Sequence, residues 1–314
     1  MRYHWCPRMF PWRHWESLWR NNLTDLESVK GVATRTIFVA IDTEPWLDHE
    51  GHNLDDKEAR EIGIAFLSPS ADQGGRAFEP PRTLAETYRR FAISSHCIRI
   101  RGRQRLSGEL FWNGSTEAII YVEPDEVEET IVNLLQSTQK LATAPGGALL
   151  PLTFVGFDLH AEFRILANQY PCLLGSFTSW VDVQELCKET TALPQAPSLR
   201  NSLVAFGFDT EFPTNASRNP HHNAGNDSMR TISVLVHLLH YPPRGHELAQ
   251  TCSANTSGRA KQREHRQREK INMTKSDLFA KRYPHPREKY PFRAKVDLPG
   301  ASFTGHPDAG ILCE

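Results

Sequence analysis

Two carboxylates sit two residues apart in "AIDTEPW", Asp42 and Glu44, directly after the apolar, β-branched run Thr36–Asp42. In a strand, residues two apart point to the same face. A pair of like charges at the end of a buried strand is relieved by a hard divalent cation with oxygen ligands, or by solvent if the strand has already become a loop. The pattern recurs in "LTFVGFDLHAEFRIL", where Asp158 follows a second apolar run and precedes a helix. Asp158 there is either a further ligand or a helix cap accepting free backbone N–H groups. A fourth carboxylate, Asp227, stands in "HHNAGNDSMRTISVLVHLL", with His222 five residues before it. Four carboxylates can hold two Mg²⁺ or Mn²⁺ ions roughly 4 Å apart and activate a water for in-line attack on phosphorus. A histidine with an ordinary pKa near 6.5 suits removal of that water's proton. Read alone, the Asn and Asp of the last stretch also serve as an ordinary helix cap.

The elements around these residues form a regular series. Strands are expected at Thr36–Asp42, Glu61–Leu67, Cys97–Arg101, Leu152–Phe157 and Ser179–Val183. Pro124 and Asp125 open a helix with Val127, Ile131, Leu134 and Leu135 in phase. Leu159, Phe163, Leu166 and Tyr170 share one face of a second helix. Ser198 caps a short third helix with Leu199, Leu203 and Phe206 in phase, and Phe157, Phe206 and Phe208 are core. In the last helix Ile232, Leu235, Val236 and Leu239 mark a buried face. Early strands followed by alternating strands and helices give a mixed α/β sheet. Open α/β sheets place their sites at the carboxyl ends of strands, where Asp42, Glu44 and Asp158 fall.

Composition narrows the function classes. The chain has 314 residues and is 39% hydrophobic, sufficient for one domain of about 200 residues with extensions. It contains no apolar run of about 18 residues, so no membrane partner is expected. The six scattered cysteines contain no C-x-x-C pair. This argues against a zinc ribbon or disulfide scaffold and places the protein inside the cell, in cytoplasm or nucleus. The net charge of −1 divides into +6 over residues 244–314 (14 Lys/Arg, 8 Asp/Glu) and −7 over the rest. An acidic body suits metal binding, and a basic tail suits phosphate contact. Residues 1–33 hold Trp5, Trp12, Trp15 and Trp19 among Arg and His; a packed or docking segment and a disordered leader both stand as readings. The segment 243–314 is rich in Pro and charge and reads as largely disordered.

The D-x-E pair, the Asp after "FVG", and H-x-x-x-x-D opening a final helix, in that order, resemble the DEDDh branch of the 3′–5′ exonuclease superfamily. "EIGIA", "SWVDVQEL" and "SLRNSLVAFGF" extend the resemblance over 34–242. Within the superfamily the sequence is most similar to fungal exonuclease-like proteins linked to mRNA export. The resemblance implies an RNase H-like, five-stranded mixed sheet flanked by helices, and hydrolysis of single-stranded RNA or DNA, RNA ahead of DNA. It implies that Asp42 bridges two divalent cations, that Glu44 and Asp227 complete one and Asp158 the other, and that His222 is the general base. Thr43 and Glu44 would touch the terminal nucleotide through backbone groups. Ser228 stands where alanine is usual, the Asp42–Glu61 connection is long and acidic, and 69–120 matches poorly. The alternative is an RNase H-like module with weak or lost catalysis, kept as a nucleic-acid- or protein-binding adaptor. The Trp-rich extension and the tail would then carry partners. "RIRGRQR" (Arg99–Arg105) fits either phosphate contact or a charged, solvated edge; "KQREHRQREK" fits a nuclear address, an RNA-contacting tail or a solvated segment.

Overall fold

The structure, a computed structural model, describes residues 17–45, 58–69, 79–103, 118–142, 147–190, 196–208 and 223–241. Two units divide the chain, Met1–Asn272 and Met273–Glu314, and every described residue lies in the first. In chain order the elements are α1 (Leu26–Ala33), β1 (Ile37–Pro45), β2 (Ala59–Leu67), α2 (Leu84–Arg90), β3 (Ser94–Ile100), β4 (Ile119–Val122) and α3 (Val127–Leu141). They continue as β5 (Leu152–Gly156), α4 (His160–Gln169), α5 (Pro171–Gly175), β6 (Ser179–Asp182), α6 (Val183–Thr190), α7 (Leu199–Ala205) and α8 (Ala224–His240).

The strands form one sheet in the order β4-β3-β2-β1-β5-β6. Only β2 runs against the rest: it pairs antiparallel with β1 and β3, whereas β1–β5, β5–β6 and β3–β4 are parallel. Five of these strands, β3-β2-β1-β5-β6, make the expected RNase H-like mixed sheet. The expected count of five is corrected to six, because "IIYV" (Ile119–Val122) adds β4 at one edge. Four residues, three of them at least partly exposed, carry no alternation strong enough to read as a strand.

β1 is apolar and buried from Ile37 to Ile41 because helices cover its faces. α8 crosses β1, β2 and β3. Its Met229, Ile232, Leu235 and Val236 join Phe38, Ala40, Ala65, Leu67 and Val155 in one core cluster. The sequence predicts one buried face for this helix; instead every residue from Ala224 to Leu238 is buried. Several polar residues on the other faces find hydrogen-bond partners. Ser228 and Ser233 donate to the carbonyls of Gly225 and Met229, and His237 bonds the carbonyls of Ser233 and Pro81. A helix buried all round needs such partners.

At the opposite sheet edge, residues 21–23 pair with Trp180 of β6. The Leu23 amide donates to the Trp180 carbonyl at 2.9 Å, and Trp180 returns the bond to Asn21 at 3.2 Å. Trp19 stacks on Trp180 with ring centroids 5.5 Å apart. Leu18 and Val29 are buried, so residues 17–33 pack onto the sheet. The extension's first sixteen residues, and the expected tail beyond 242, lie outside the described residues.

Candidate metal centre

Asp42 and Glu44 are held within the β1 ladder, opposite Gly63 and Glu61 of β2. The strand continues to Pro45, so the solvated-loop reading of "DTE" does not hold. Asp227 comes from the first turn of α8. A carboxylate oxygen from each of Asp42, Glu44 and Asp227 lies within 4.8 Å of the others. Three carboxylates so placed repel one another unless a cation or protons intervene. Asp42 records that conflict. Its carboxyl is held well above the usual range by burial first, then by Asp227, Glu162, Glu44 and Glu61. Part of its surface still reaches solvent, and protein encloses the remainder. A hard cation, which takes oxygen ligands, suits this donor set.

Arginines flank the trio. Arg230, one turn further along α8, places Nη1 2.8 Å from the Asp227 carboxylate. Arg60 places a guanidinium nitrogen 3.7 Å from Glu44. Of the basic cluster, Arg99 pairs with Glu61, Arg101 with Glu123 and Arg103 with Glu58, at 3.0, 3.7 and 2.8 Å. These three charges are engaged with carboxylates; β4 covers β3, so the edge-strand reading does not hold, and Arg105 lies outside the described residues.

Asp158 is not part of the trio. It adopts a left-handed backbone conformation (φ +63°), which aspartate tolerates better than most residues. Its amide donates to Asp182 Oδ1 at 3.1 Å, and the Gln184 amide reaches the same oxygen at 2.9 Å. Leu159, not Asp158, is the N-cap of α4, and it supplies no capping side chain. The fourth carboxylate beside Asp42 is Glu162, on the first turn of α4. It is buried, and its Oε2 has no hydrogen-bond partner among the described residues. Burial, followed by repulsion from Asp158 and Asp182, pushes its carboxyl up to about 8, against the opposing effect of its own and the Thr43 backbone N–H. Sequence reasoning passed over Glu162. The signal was available: Glu162 falls three residues after Leu159 and beside Phe163, inside the apolar stripe of its helix, where an unpaired charge has no packing role.

Thr43 is buried opposite Ile62, and its hydroxyl has no hydrogen-bond partner among the described residues. His222 and His221 lie outside the described residues, as do Asp48, Asp55 and Asp56. Cys97, Cys172 and Cys187 are free thiols. No helix among the described residues is long and apolar enough to cross a membrane.

An acidic corner where a central strand meets the opening of a long helix on an RNase H-like sheet defines a DEDD-type nuclease domain. The family model for the DNA polymerase III subunit epsilon-like, C-terminal domain (DEDDh_C) matches residues 37–238, and the chain belongs to this family. Among solved structures, the RNase domain of the yeast Pop2 protein aligns over 71% of this chain and 82% of that chain, with 12% identity and a TM-score of 0.36. No curated protein matches the chain.

Proposed function

We propose that the protein is a metal-dependent 3′–5′ exonuclease that removes nucleotides from single-stranded nucleic acid, RNA ahead of DNA. The observation that carries the reading is the convergence of Asp42, Glu44 and Asp227 within 4.8 Å, with Asp42 kept from easy ionisation by burial first and by its acidic neighbours second. Two divalent cations, Mg²⁺ or Mn²⁺, would supply Lewis-acid activation of water and neutralisation of the leaving oxygen. Asp42 would be the ligand common to both, since its carboxyl is raised by both Asp227 and Glu162. Glu44 and Asp227 hold one side, and Glu162 takes the place assigned to Asp158 by sequence. Asp158 then acts at one remove, through its repulsion of Glu162. His222 is one residue before the Asn223 cap of α8 and five before Asp227, and it accepts the proton of the attacking water. The backbone at Thr43 and Glu44 borders the terminal nucleotide. RNA precedes DNA because the sequence resembles exonuclease-like proteins linked to mRNA export, and this resemblance also favours an intracellular site. Partners other than nucleic acid would engage the chain's two extensions.

The test uses single-stranded RNA labelled at its 5′ end, with a free or blocked 3′ end. Stepwise shortening that the 3′ block prevents supports the reading; internal cuts, or shortening from the 5′ end, contradict it. One observation favours the adaptor alternative: Arg230 already pairs with Asp227 at 2.8 Å, giving that carboxylate a partner other than a cation. Strand binding without cleavage in saturating Mn²⁺ would select that alternative.

A further inference from the structure

We infer that Glu61 is a positioning residue: it fastens the first turn of α8 to the sheet and so sets Asp227 opposite Asp42. The inference rests on the metal-centre reading above and extends it to a residue outside the metal-binding trio.

A helix leaves its first four N–H groups without intrahelical partners. In α8 the amides of Ala224 and Asn226 find side-chain partners outside the helical ladder. The Ala224 amide donates to Glu61 Oε1 at 2.8 Å, in a buried bond. The Asn226 amide goes to Asn223 Oδ1 at 2.9 Å, and the Asp227 amide to the Asn223 carbonyl at 2.9 Å. The last two bonds are internal to the cap. The bond to Glu61 ties the helix to strand β2, is charge-assisted, and places a negative charge at the positive end of the helix.

The clamp has a second side. Arg99, opposite Glu61 in the β2–β3 register, donates its Nε to Glu61 Oε2 at 3.0 Å. Each carboxylate oxygen thereby receives a different donor, one from α8 and one from β3. Gly63 completes the seat, because a Cβ there would collide with the Ala224 backbone carbonyl. Helix and sheet are in direct backbone contact at the point where Glu61 holds them. Asp227 lies three residues beyond Ala224, less than one turn, and Asp42 pairs with Gly63 itself. Little chain separates the clamp from the carboxylates it sets. A misplacement of about 1 Å at a reacting centre can lower turnover about 100-fold.

Glu61→Gln tests this with minimal change of shape. The two donors meet different oxygens of Glu61, and in glutamine one of those oxygens becomes an NH₂ group that cannot accept from its donor. In the full-length protein, Mn²⁺ affinity would be measured by titration. kcat and KM on single-stranded RNA, and amide exchange at Ala224–Asp227, would be followed in parallel. Ile131→Val in α3 serves as the comparison for lost stability alone. For Glu61→Gln the expected result is roughly tenfold weaker Mn²⁺ binding, a 10- to 100-fold fall in kcat with KM within about twofold, and faster first-turn exchange. Ile131→Val should change neither Mn²⁺ affinity nor kcat. Mn²⁺ affinity and kcat within twofold of wild type in Glu61→Gln would overturn the inference, as would equal losses in Ile131→Val at matched melting temperature. If wild type binds no Mn²⁺, the metal-centre reading fails and exchange alone decides: faster exchange in Glu61→Gln upholds the clamp, and unchanged exchange refutes it.

Discussion

Replacing Glu162 by glutamine should stabilise the protein when metal is withheld. The wild-type carboxyl has an ordinary value of 4.5 and is pushed up to about 8 in the fold, chiefly by burial. A group whose folded pKa is raised contributes stability that is fully present below its unfolded pKa and is lost as pH rises through the folded one. For Glu162 the window therefore runs from pH 4.5 to about 8. Each tenfold step in proton affinity is worth about 1.4 kcal/mol, so the penalty at pH 7 is on the order of 3 kcal/mol. For a domain of this size that corresponds to roughly 5–10 °C in melting temperature. The amide avoids the penalty because it cannot ionise. The assay is thermal unfolding of wild type and Glu162→Gln from pH 4 to 8.5, in chelator and in saturating Mn²⁺. In chelator the variant should melt higher than wild type at pH 8, with the difference closing towards pH 4.5. In Mn²⁺ the order should narrow or reverse, because wild type gains a ligand-driven stabilisation that the variant loses in part. A variant that melts lower than wild type at pH 8 in chelator would refute the reasoning. Glu162 would then be stabilising as a charge, held by donors, and not strained by burial.

Three further outcomes are expected. Asp42→Asn should reduce cleavage at least 1,000-fold while the circular dichroism stays native, whereas Asp158→Asn should lose no more than about tenfold. Both figures follow from comparing loss of a reacting-centre group with loss of a remote one, and equal losses in single-turnover assays would restore Asp158 to the centre. Gly63→Ala should lower stability by about 1–3 kcal/mol, since its Cβ meets a backbone carbonyl that cannot rotate away; an unchanged denaturant midpoint would contradict the close approach. His222→Ala should reduce kcat by 10²–10⁴ and remove the acidic limb of the pH–rate profile near pH 6.5, and an unaltered profile would rule out its role as base.

The sheet was legible because its strands are short, apolar and bounded by polar segments, and α8 because of its periodicity. Apart from β4, whose four residues carry no alternation, what escaped was which polar residues those apolar patterns would enclose. Asp158 drew attention because it ends an apolar run, yet a left-handed turn carries it to the exposed rim. Glu162 was hidden among the apolar residues of α4, and its position facing Asp42 follows from how α4 docks on β1, a tertiary relation with no local signature. Glu61 looked like the polar residue that begins a strand. Its two donors are 38 and 163 residues away in the chain, which no local pattern reveals. The polar opening of α8 was read as the rim of a metal centre or as a cap. It is both: Asn223 caps the helix while Asp227, one turn later, joins the carboxylate trio.

The most direct measurement is cleavage of single-stranded RNA, and its DNA counterpart, with a free 3′ end, in Mn²⁺ and in Mg²⁺. Wild type would be compared with the Asp42→Ala/Glu44→Ala double variant. Metal-dependent release of mononucleotides by wild type, lost in the double variant, is the expected result. Folded wild-type protein that binds the strand without shortening it would contradict the exonuclease, as would release that the double variant retains.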